Sequence, residues 1–230
     1  MYLDGFINRA SKRIFNYEEP LKYLKGRGIT EEDILKYSIG YLKFAKVNAQ
    51  DSEDYQYLKE KTWNFKGLQN RIIFPLRNIL GSVNGLILRD IDTKRYIQIF
   101  FKEAKEIGAF FGLGEALPHI MKTRKVFVHE GAIDCISFAK VFPNSVSVLT
   151  SLVNEQQFET LRFFADKIIL VFDNDAPGRM GTYKTFKSYG QNCIHTVNIG
   201  YGDTNKCLQT LGEKKFSQYI KSKIPLPFRS

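Results

Sequence analysis

Two acidic turns decide the fold: Val128-His129-Glu130-Gly131-Ala132-Ile133-Asp134 and Val171-Phe172-Asp173-Asn174-Asp175-Ala176-Pro177-Gly178-Arg179. Each turn follows a short apolar run and precedes a helix-like pattern. Acids in these positions lie at the carboxyl ends of neighbouring parallel strands, where open α/β sheets bind their ligands. A glutamate opposite an Asp-x-Asp pair suits hard divalent cations and indicates phosphoryl-transfer chemistry.

Strands and helices alternate regularly around these turns. Apolar runs predict strands over 125–129, 145–149, 167–172 and 192–197, and helical patterns fill 131–142, 155–165 and 178–189. This β-α-β-α-β-α-β order predicts a parallel sheet with right-handed crossovers. A further helical pattern covers 204–223.

The N-terminal half has a different pattern. Glu19-Pro20 marks a helix start, and a hairpin signal joins predicted strands over 71–77 and 83–89, with a third strand over 96–101. Pro75 indicates an edge strand or a bulge. We therefore predict an α/β protein in three parts: an α+β subdomain over 1–122, a parallel α/β catalytic subdomain over 123–200 and a helical segment over 201–230.

Charge and composition narrow the function. The 230 residues carry a net charge of +10, with 20 basic and 15 acidic residues over 1–122, 8 and 7 over 123–200, and 6 and 2 over 201–230. A near-neutral acidic centre between basic flanks suits a polyanionic substrate such as nucleic acid. No apolar run reaches the roughly 18–20 residues of a membrane helix. The three cysteines form no Cys-x-x-Cys motif, so we expect no zinc in this chain and a reducing, cytoplasmic setting.

The acidic residues are the candidate catalytic and metal-binding groups. Glu130 is a candidate metal ligand or general acid/base, and Asp173 and Asp175 lie two residues apart, so both carboxylates can face one ion. Asp203 follows the last predicted strand and offers a third acid at the same sheet edge. The alternative for all four is structural, as Asx-turns or helix caps.

Basic residues through the middle of the chain are candidates for binding nucleotide phosphates or a template strand. For some of them the alternative is an ordinary solvated surface. The candidate nucleotide- or template-binding set is Arg71, Arg89, Lys94, Arg95, Lys105, Asp134 and Arg179.

These motifs resemble a known family. Glu130-Gly131-x-x-Asp134 together with Asp173-x-Asp175-x-x-Gly178-Arg179 resembles the Toprim fold of primases, topoisomerases and some nucleases. Tyr23-Leu24-Lys25-Gly26-Arg27-Gly28-Ile29 and Arg71-Ile72-Ile73-Phe74-Pro75-Leu76-Arg77 are similar to segments of the RNA polymerase core of DnaG-type bacterial and phage primases. The resemblance covers about residues 20–210.

The resemblance implies a DNA primase, a DNA-directed RNA polymerase that makes short primers. It implies Mg²⁺, with Mn²⁺ as a substitute, at Glu130, Asp173, Asp175 and Asp203, while Asn205 stands where the family has a second acid. Implied partners are single-stranded DNA, ribonucleoside triphosphates, a replicative helicase and a separate zinc-binding module, with no membrane. The alternatives are a Toprim nuclease using the same acids and a non-catalytic single-strand-binding subunit; a topoisomerase has no room for its nucleophile domain.

Overall fold

The structure is a computed structural model and describes residues 2–43, 70–93, 95–100, 108–190, 193–200 and 202–224. The chain forms two compact units, Met1–Gly26 with Thr30–Ala109 and Arg27–Ile29 with Phe110–Ser230. The second unit therefore begins before residue 123 and takes three residues from the N-terminal half. The functional division of the chain into three parts remains a proposal.

An antiparallel sheet organises the first unit. Its described strands are β1 (Gly40–Leu42), β2 (Arg71–Arg77), β3 (Val83–Asp90) and β4 (Tyr96–Phe100), in the order β1-β2-β3-β4. Helices α1 (Tyr2–Arg13), α2 (Glu18–Gly26) and α3 (Glu31–Lys36) accompany it. Phe6, Ile7 and Ala10 of α1 are buried with residues of the sheet in one apolar cluster, which holds the helix on that face.

The predicted β2–β3 hairpin is confirmed, with Phe74 opposite Ile87. Its turn is fixed by Asn78 Oδ1, which accepts hydrogen bonds from the amides of Leu80 at 3.0 Å and Ser82 at 3.1 Å. β2 is an inner strand rather than an edge. However, β1 pairs only as far as Ile73, so Pro75 has a described strand neighbour on one side alone. A bulge between Leu76 and Arg77 follows directly.

A parallel sheet organises the second unit, as the alternation predicted. Strands β5 (Lys125–His129), β6 (Ser145–Ser147), β7 (Lys167–Val171) and β8 (Ile194–Thr196) lie in the order β6-β5-β7-β8. Helices α4 (Leu113–Thr123), α5 (Ala132–Ala139), α6 (Glu155–Phe164), α7 (Ala176–Tyr189) and α8 (Thr204–Lys223) surround these strands. Helix α8 is interrupted at Gly212, whose φ of 70° and ψ of 161° are not helical.

Two apolar clusters cover the faces of this sheet. Val126, Val128, Ile168 and Leu170 belong to one cluster, and the alternate residues of β5 and β7, such as Ile169, belong to the other. Burial on both faces explains why the strands read as continuous apolar runs rather than alternating ones. Among the described residues, no helix is both long and apolar enough to cross a bilayer.

Candidate active site

The strand order places a ligand-binding crevice at the centre of the parallel sheet. After β5 the chain crosses to β6 on one side, and it then returns to β7 on the other side of β5. This reversal is a topological switch point, and ligands bind outside the carboxyl ends of strands at such points. Glu130 directly follows β5, and Asp173 follows β7 by two residues, so both candidate acids lie at the switch point.

Glu130 and Asp173 are in direct contact. The backbone amide of Asp173 donates a hydrogen bond of 3.0 Å to Glu130 Oε1. Gly178, in the first turn of α7, lies against the same two residues. A Cβ atom at Gly178 would lie 2.6 Å from Glu130 Oε1 and still closer to the carbonyl oxygen of Asp173. Glycine at this position is therefore a packing requirement of the site.

Asp175 and Arg179 shape the turn between β7 and α7. Asp175 is the N-cap of α7, and its Oδ1 accepts a hydrogen bond of 2.8 Å from the amide of Gly178. Arg179 Nη1 donates to the carbonyl oxygen of Asn174 at 3.0 Å. Asp175 therefore has the helix-capping role that the sequence allowed as an alternative, and the arginine braces the turn that carries both aspartates.

Asp134 and Asp203 approach the site from α5 and α8. Asp203 is the N-cap of α8, and its Oδ1 accepts a hydrogen bond of 2.6 Å from the amide of Lys206. The amide of Asn205 donates to Asp134 Oδ1 at 2.9 Å. One carboxylate oxygen of Asp134 therefore binds the backbone at the start of α8.

Asn205 has a structural role that the family pattern did not reveal. Its side chain is 2% exposed, and Nδ2 donates to the carbonyl oxygen of Arg27 at 2.7 Å and to Ser137 Oγ at 2.8 Å. An aspartate carboxylate has no proton to donate to the Arg27 carbonyl. The amide at this position therefore anchors Arg27 within the second unit.

The carboxylates of the site have pKa values well above the ordinary range. Burial, together with the charges of nearby aspartates, raises the pKa of Glu130 to about 7. Burial and the charges of Asp173 and Asp203 raise the pKa of Asp134 to about 7, against the hydrogen bond from Asn205. Burial and the charges of Asp203 and Asp175 raise the pKa of Asp173 to about 6. The site therefore concentrates negative charge that a divalent cation would neutralise.

The donor set fits a hard cation that brings part of its own coordination shell. The candidate ligands Glu130, Asp173, Asp175 and Asp203 offer only oxygen atoms, which Mg²⁺ and Mn²⁺ prefer. In the described part of the chain, no three acidic, histidine or cysteine side chains already form a closed metal cluster. Mg²⁺ usually retains waters and binds through one or two carboxylates plus substrate phosphates, so an open set of acids suits it.

Two of the basic candidates are buried in the first unit. Arg71 is 8% exposed, and its guanidinium contacts Asp90 at 3.3 Å and the carbonyl oxygen of Arg95 at 3.3 Å. Arg89 is 7% exposed; its Nε donates to Tyr23 Oη, and its guanidinium lies 4.6 Å from the centre of the Tyr96 ring. These contacts hold both arginines within the sheet, and their binding of nucleotide or template stays a prediction.

The remaining basic candidates differ in their placement. Arg95 is exposed at the start of β4. Lys94 and Lys105 lie outside the described residues. The binding of nucleotide or template by Arg95 and by the two lysines remains a prediction.

The sequence patterns indicated no packing role for Asn205, Gly178 or Gly181. Asn205 was noted only as a lost acid, although its contacts with Arg27 and Ser137 join residues that are 178 and 68 positions away. Gly178 and Gly181 both allow close approach to backbone: a Cβ at Gly181 would overlap the carbonyl oxygen of Ser151. Two glycines three residues apart at the start of a helix were the available signal.

Comparison with known proteins agrees with this arrangement. A family model described as Toprim-like matches residues 127–208, which include every candidate acid. The DNA primase of Lactococcus lactis is 26% identical over 94% of this chain and 38% of its own length. The DNA primase of Borreliella burgdorferi is 29% identical over 71% of this chain and 35% of its own length. The chain thus spans well under half the length of these relatives.

Solved structures show the same fold. A DnaG catalytic core matches with a TM-score of 0.77 at 20% identity, over 97% of this chain and 79% of the other. A DnaG primase catalytic domain bound to ssDNA matches with a TM-score of 0.76 at 21% identity, over 97% and 80%. The zinc-binding and RNA polymerase domains of Aquifex aeolicus primase match with a TM-score of 0.75 at 22% identity, over 96% and 62%. The chain therefore carries a Toprim-like domain within the catalytic-core fold of the DnaG-type primases.

Proposed function

We propose that this chain is the catalytic core of a DNA primase, which joins ribonucleoside triphosphates into short RNA primers on single-stranded DNA. The observation that carries the proposal is the contact of Glu130 with Asp173 at the switch point of the parallel sheet. Nucleotidyl transfer needs concentrated oxygen ligands for divalent cations, and these two acids supply them at the edge where such sheets bind substrates.

We propose Mg²⁺, with Mn²⁺ as a substitute, as the cofactor of this site. Glu130, Asp173, Asp175 and Asp203 would hold it. When bound, the metal would neutralise the charge of the triphosphate and favour attack by a 3′-hydroxyl on the α-phosphorus.

Neighbouring residues hold the proposed metal ligands in position. The amide of Asp173 and the close packing of Gly178 fix the Glu130 carboxylate, so the ligand is preorganised rather than mobile. In the metal-free site the pKa of Glu130 is raised to about 7, so metal binding near neutral pH would release a proton from this carboxyl. Arg179 braces the turn that carries Asp173 and Asp175.

Template and nucleotide would be bound by basic residues. We assign this role to the exposed Arg95 and to Lys94 and Lys105, with Arg71 and Arg89 supporting the antiparallel sheet. A similar solved core carries ssDNA, and another similar structure includes a zinc-binding domain. By analogy we propose single-stranded DNA, ribonucleoside triphosphates, a replicative helicase and a zinc-binding module in trans as partners, with a cytoplasmic location.

The test is RNA synthesis on a single-stranded DNA template with ribonucleoside triphosphates and Mg²⁺ or Mn²⁺, with and without an added zinc module or helicase. We expect short RNA products that Glu130→Gln and Asp173→Asn reduce by at least about 100-fold, because misplacing or removing catalytic ligands has effects of this order. The control Glu159→Gln changes an exposed glutamate outside the site and should leave synthesis unchanged.

The alternatives give different outcomes in the same assay. DNA cleavage without RNA synthesis would assign the acids to a Toprim nuclease. Strand binding without product under every condition would indicate a non-catalytic subunit. RNA synthesis that persists in both acid variants would refute the site assignment.

A further inference from the structure

The first unit contains a pocket that no part of the proposed catalytic site uses. It has a volume of about 430 Å³, and its lining includes Glu19, Lys22, Tyr23, Tyr41 and Asp92. This volume falls within the roughly 300–1,000 Å³ range of small-molecule sites. The lining residues come from α2, β1 and the turn after β3, so the pocket is built by elements of one unit.

The hydroxyl of Tyr41 is the feature that indicates a ligand. Tyr41 is 1% exposed, and its Oη is buried without a hydrogen-bond partner. Buried hydroxyls are almost always paired, since an unpaired one loses its bonds to water without replacement. Burial, followed by the charges of Glu19, Tyr17 and Asp92, raises the pKa of Tyr41 to about 12, so the group remains a hydrogen-bond donor.

The charges around the pocket define what can enter. Glu19 and Asp92 are exposed residues that line the same pocket as Tyr41, and their carboxylate charges contribute to its raised pKa. Carboxylates only accept hydrogen bonds, so they require donors on the ligand. Lys22 is the one cation in the described lining, which leaves the lining net negative and unfavourable for a phosphate group.

An aromatic wall completes the pocket. The ring of Tyr23 is held in place because its hydroxyl accepts a hydrogen bond from Arg89 Nε. Single-stranded bases are commonly bound by stacking on such rings while their Watson–Crick edges pair with side chains. The pocket therefore combines a flat wall, a buried donor and two acceptors.

We propose that this pocket binds a guanine base. The guanine edge carries an acceptor, O6, beside two donor nitrogens, N1–H and N2–H₂. The acceptor matches the Tyr41 hydroxyl, and the donors match the carboxylates of Glu19 and Asp92. Adenine, cytosine and uracil each offer only one donor nitrogen on this edge. That the base belongs to a nucleic-acid strand rests on the proposed function; the recognition of guanine does not.

The test is an NMR titration of the protein with guanosine, adenosine, cytidine and uridine in the presence of EDTA. We expect guanosine to bind at least about tenfold more tightly than the others, because charge-assisted hydrogen bonds discriminate by this order. Glu19→Gln and Asp92→Asn should each weaken guanosine binding by about tenfold. Glu32→Gln, an exposed change on α3 of the same unit, should have no effect.

The Tyr41→Phe variant distinguishes a loss of guanosine binding from a loss of folding. It removes only the unpaired hydroxyl, so the variant should be at least as stable as the wild type while guanosine binding weakens. Equal binding of the four nucleosides, or unchanged binding in these variants, would overturn the proposal.

A second arm identifies the source of the base. A thymidine oligonucleotide containing one guanine should bind more tightly than the all-thymine strand; equal affinity would assign the pocket to a free guanine nucleoside instead. Because this assay uses neither metal nor triphosphate, its failure is distinct from a failure of primer synthesis, and the reverse also holds.

Discussion

Replacing Gly178 by alanine tests whether packing at the start of α7 holds the candidate catalytic acids in place. The added methyl group would lie 2.6 Å from Glu130 Oε1 and even closer to the carbonyl oxygen of Asp173. Both neighbours must then move by several tenths of an ångström or more. One of them is backbone, which cannot rotate away, so the turn that carries Asp173 and Asp175 shifts with it.

The expected magnitude follows from this overlap. Overpacking of a well-packed position typically destabilises a protein by about 1–3 kcal/mol. A displacement of about 1 Å in a catalytic group can reduce the rate about 100-fold. We therefore expect Gly178→Ala to fold, with a free energy of unfolding lowered by about 2 kcal/mol. Its rate of RNA synthesis should fall about 100-fold even where the variant is fully folded.

The assay combines urea denaturation with primer synthesis at a temperature where the variant is folded. The matched control is Gly114→Ala in α4, where an added Cβ has no atom within 4 Å. That change should keep activity and raise stability by about 0.5–1 kcal/mol, because alanine is the better helix former. Gly178→Ala with wild-type stability and synthesis would refute the packing argument.

Two further predictions concern the buried polar groups around the site. Asn205→Asp restores the family's acid but cannot donate to the carbonyl of Arg27, so urea denaturation should show a loss of about 2 kcal/mol; unchanged stability would exclude the anchoring role. The pKa of Asp134 is raised to about 7, so its protonation stabilises the metal-free fold below that pH, and this stability is lost as the pH rises through 7. Unfolding measured in EDTA from pH 5.5 to 8 should show the decline, to which the raised pKa values of Glu130 and Asp173 also contribute; Asp134→Asn should therefore make the decline less steep, and an unaltered slope would contradict the burial of this carboxyl.

The parallel sheet and its acids could be predicted because both depend on local sequence patterns. Apolar runs that end in an acid locate the carboxyl ends of β5 and β7, and parallel strands bring those ends together. Hence Glu130 and Asp173 were predicted as neighbours although they are 43 positions apart. The hairpin of β2 and β3 was likewise predicted from its glycine-containing turn.

Other features depend on contacts that no local pattern contains. Helix α4 was not predicted, since Pro118 lies inside it and proline usually ends a helix. Arg71 contacts Asp90 and Arg89 contacts Tyr23, and these partners lie 19 and 66 positions away in the sequence. The pocket around Tyr41 combines residues from separate parts of the first unit, so only the folded chain reveals it.

The central claim is that the acids at the switch point bind divalent metal. A titration with Mn²⁺, followed by electron paramagnetic resonance at pH 7.5, tests it without requiring template, nucleotide or partner. We expect saturable binding in the wild type and in Glu159→Gln, and a loss of at least about tenfold in affinity in Glu130→Gln and Asp173→Asn, because each variant removes a charged oxygen ligand. Equal Mn²⁺ affinity in the wild type and both acid variants would contradict the account.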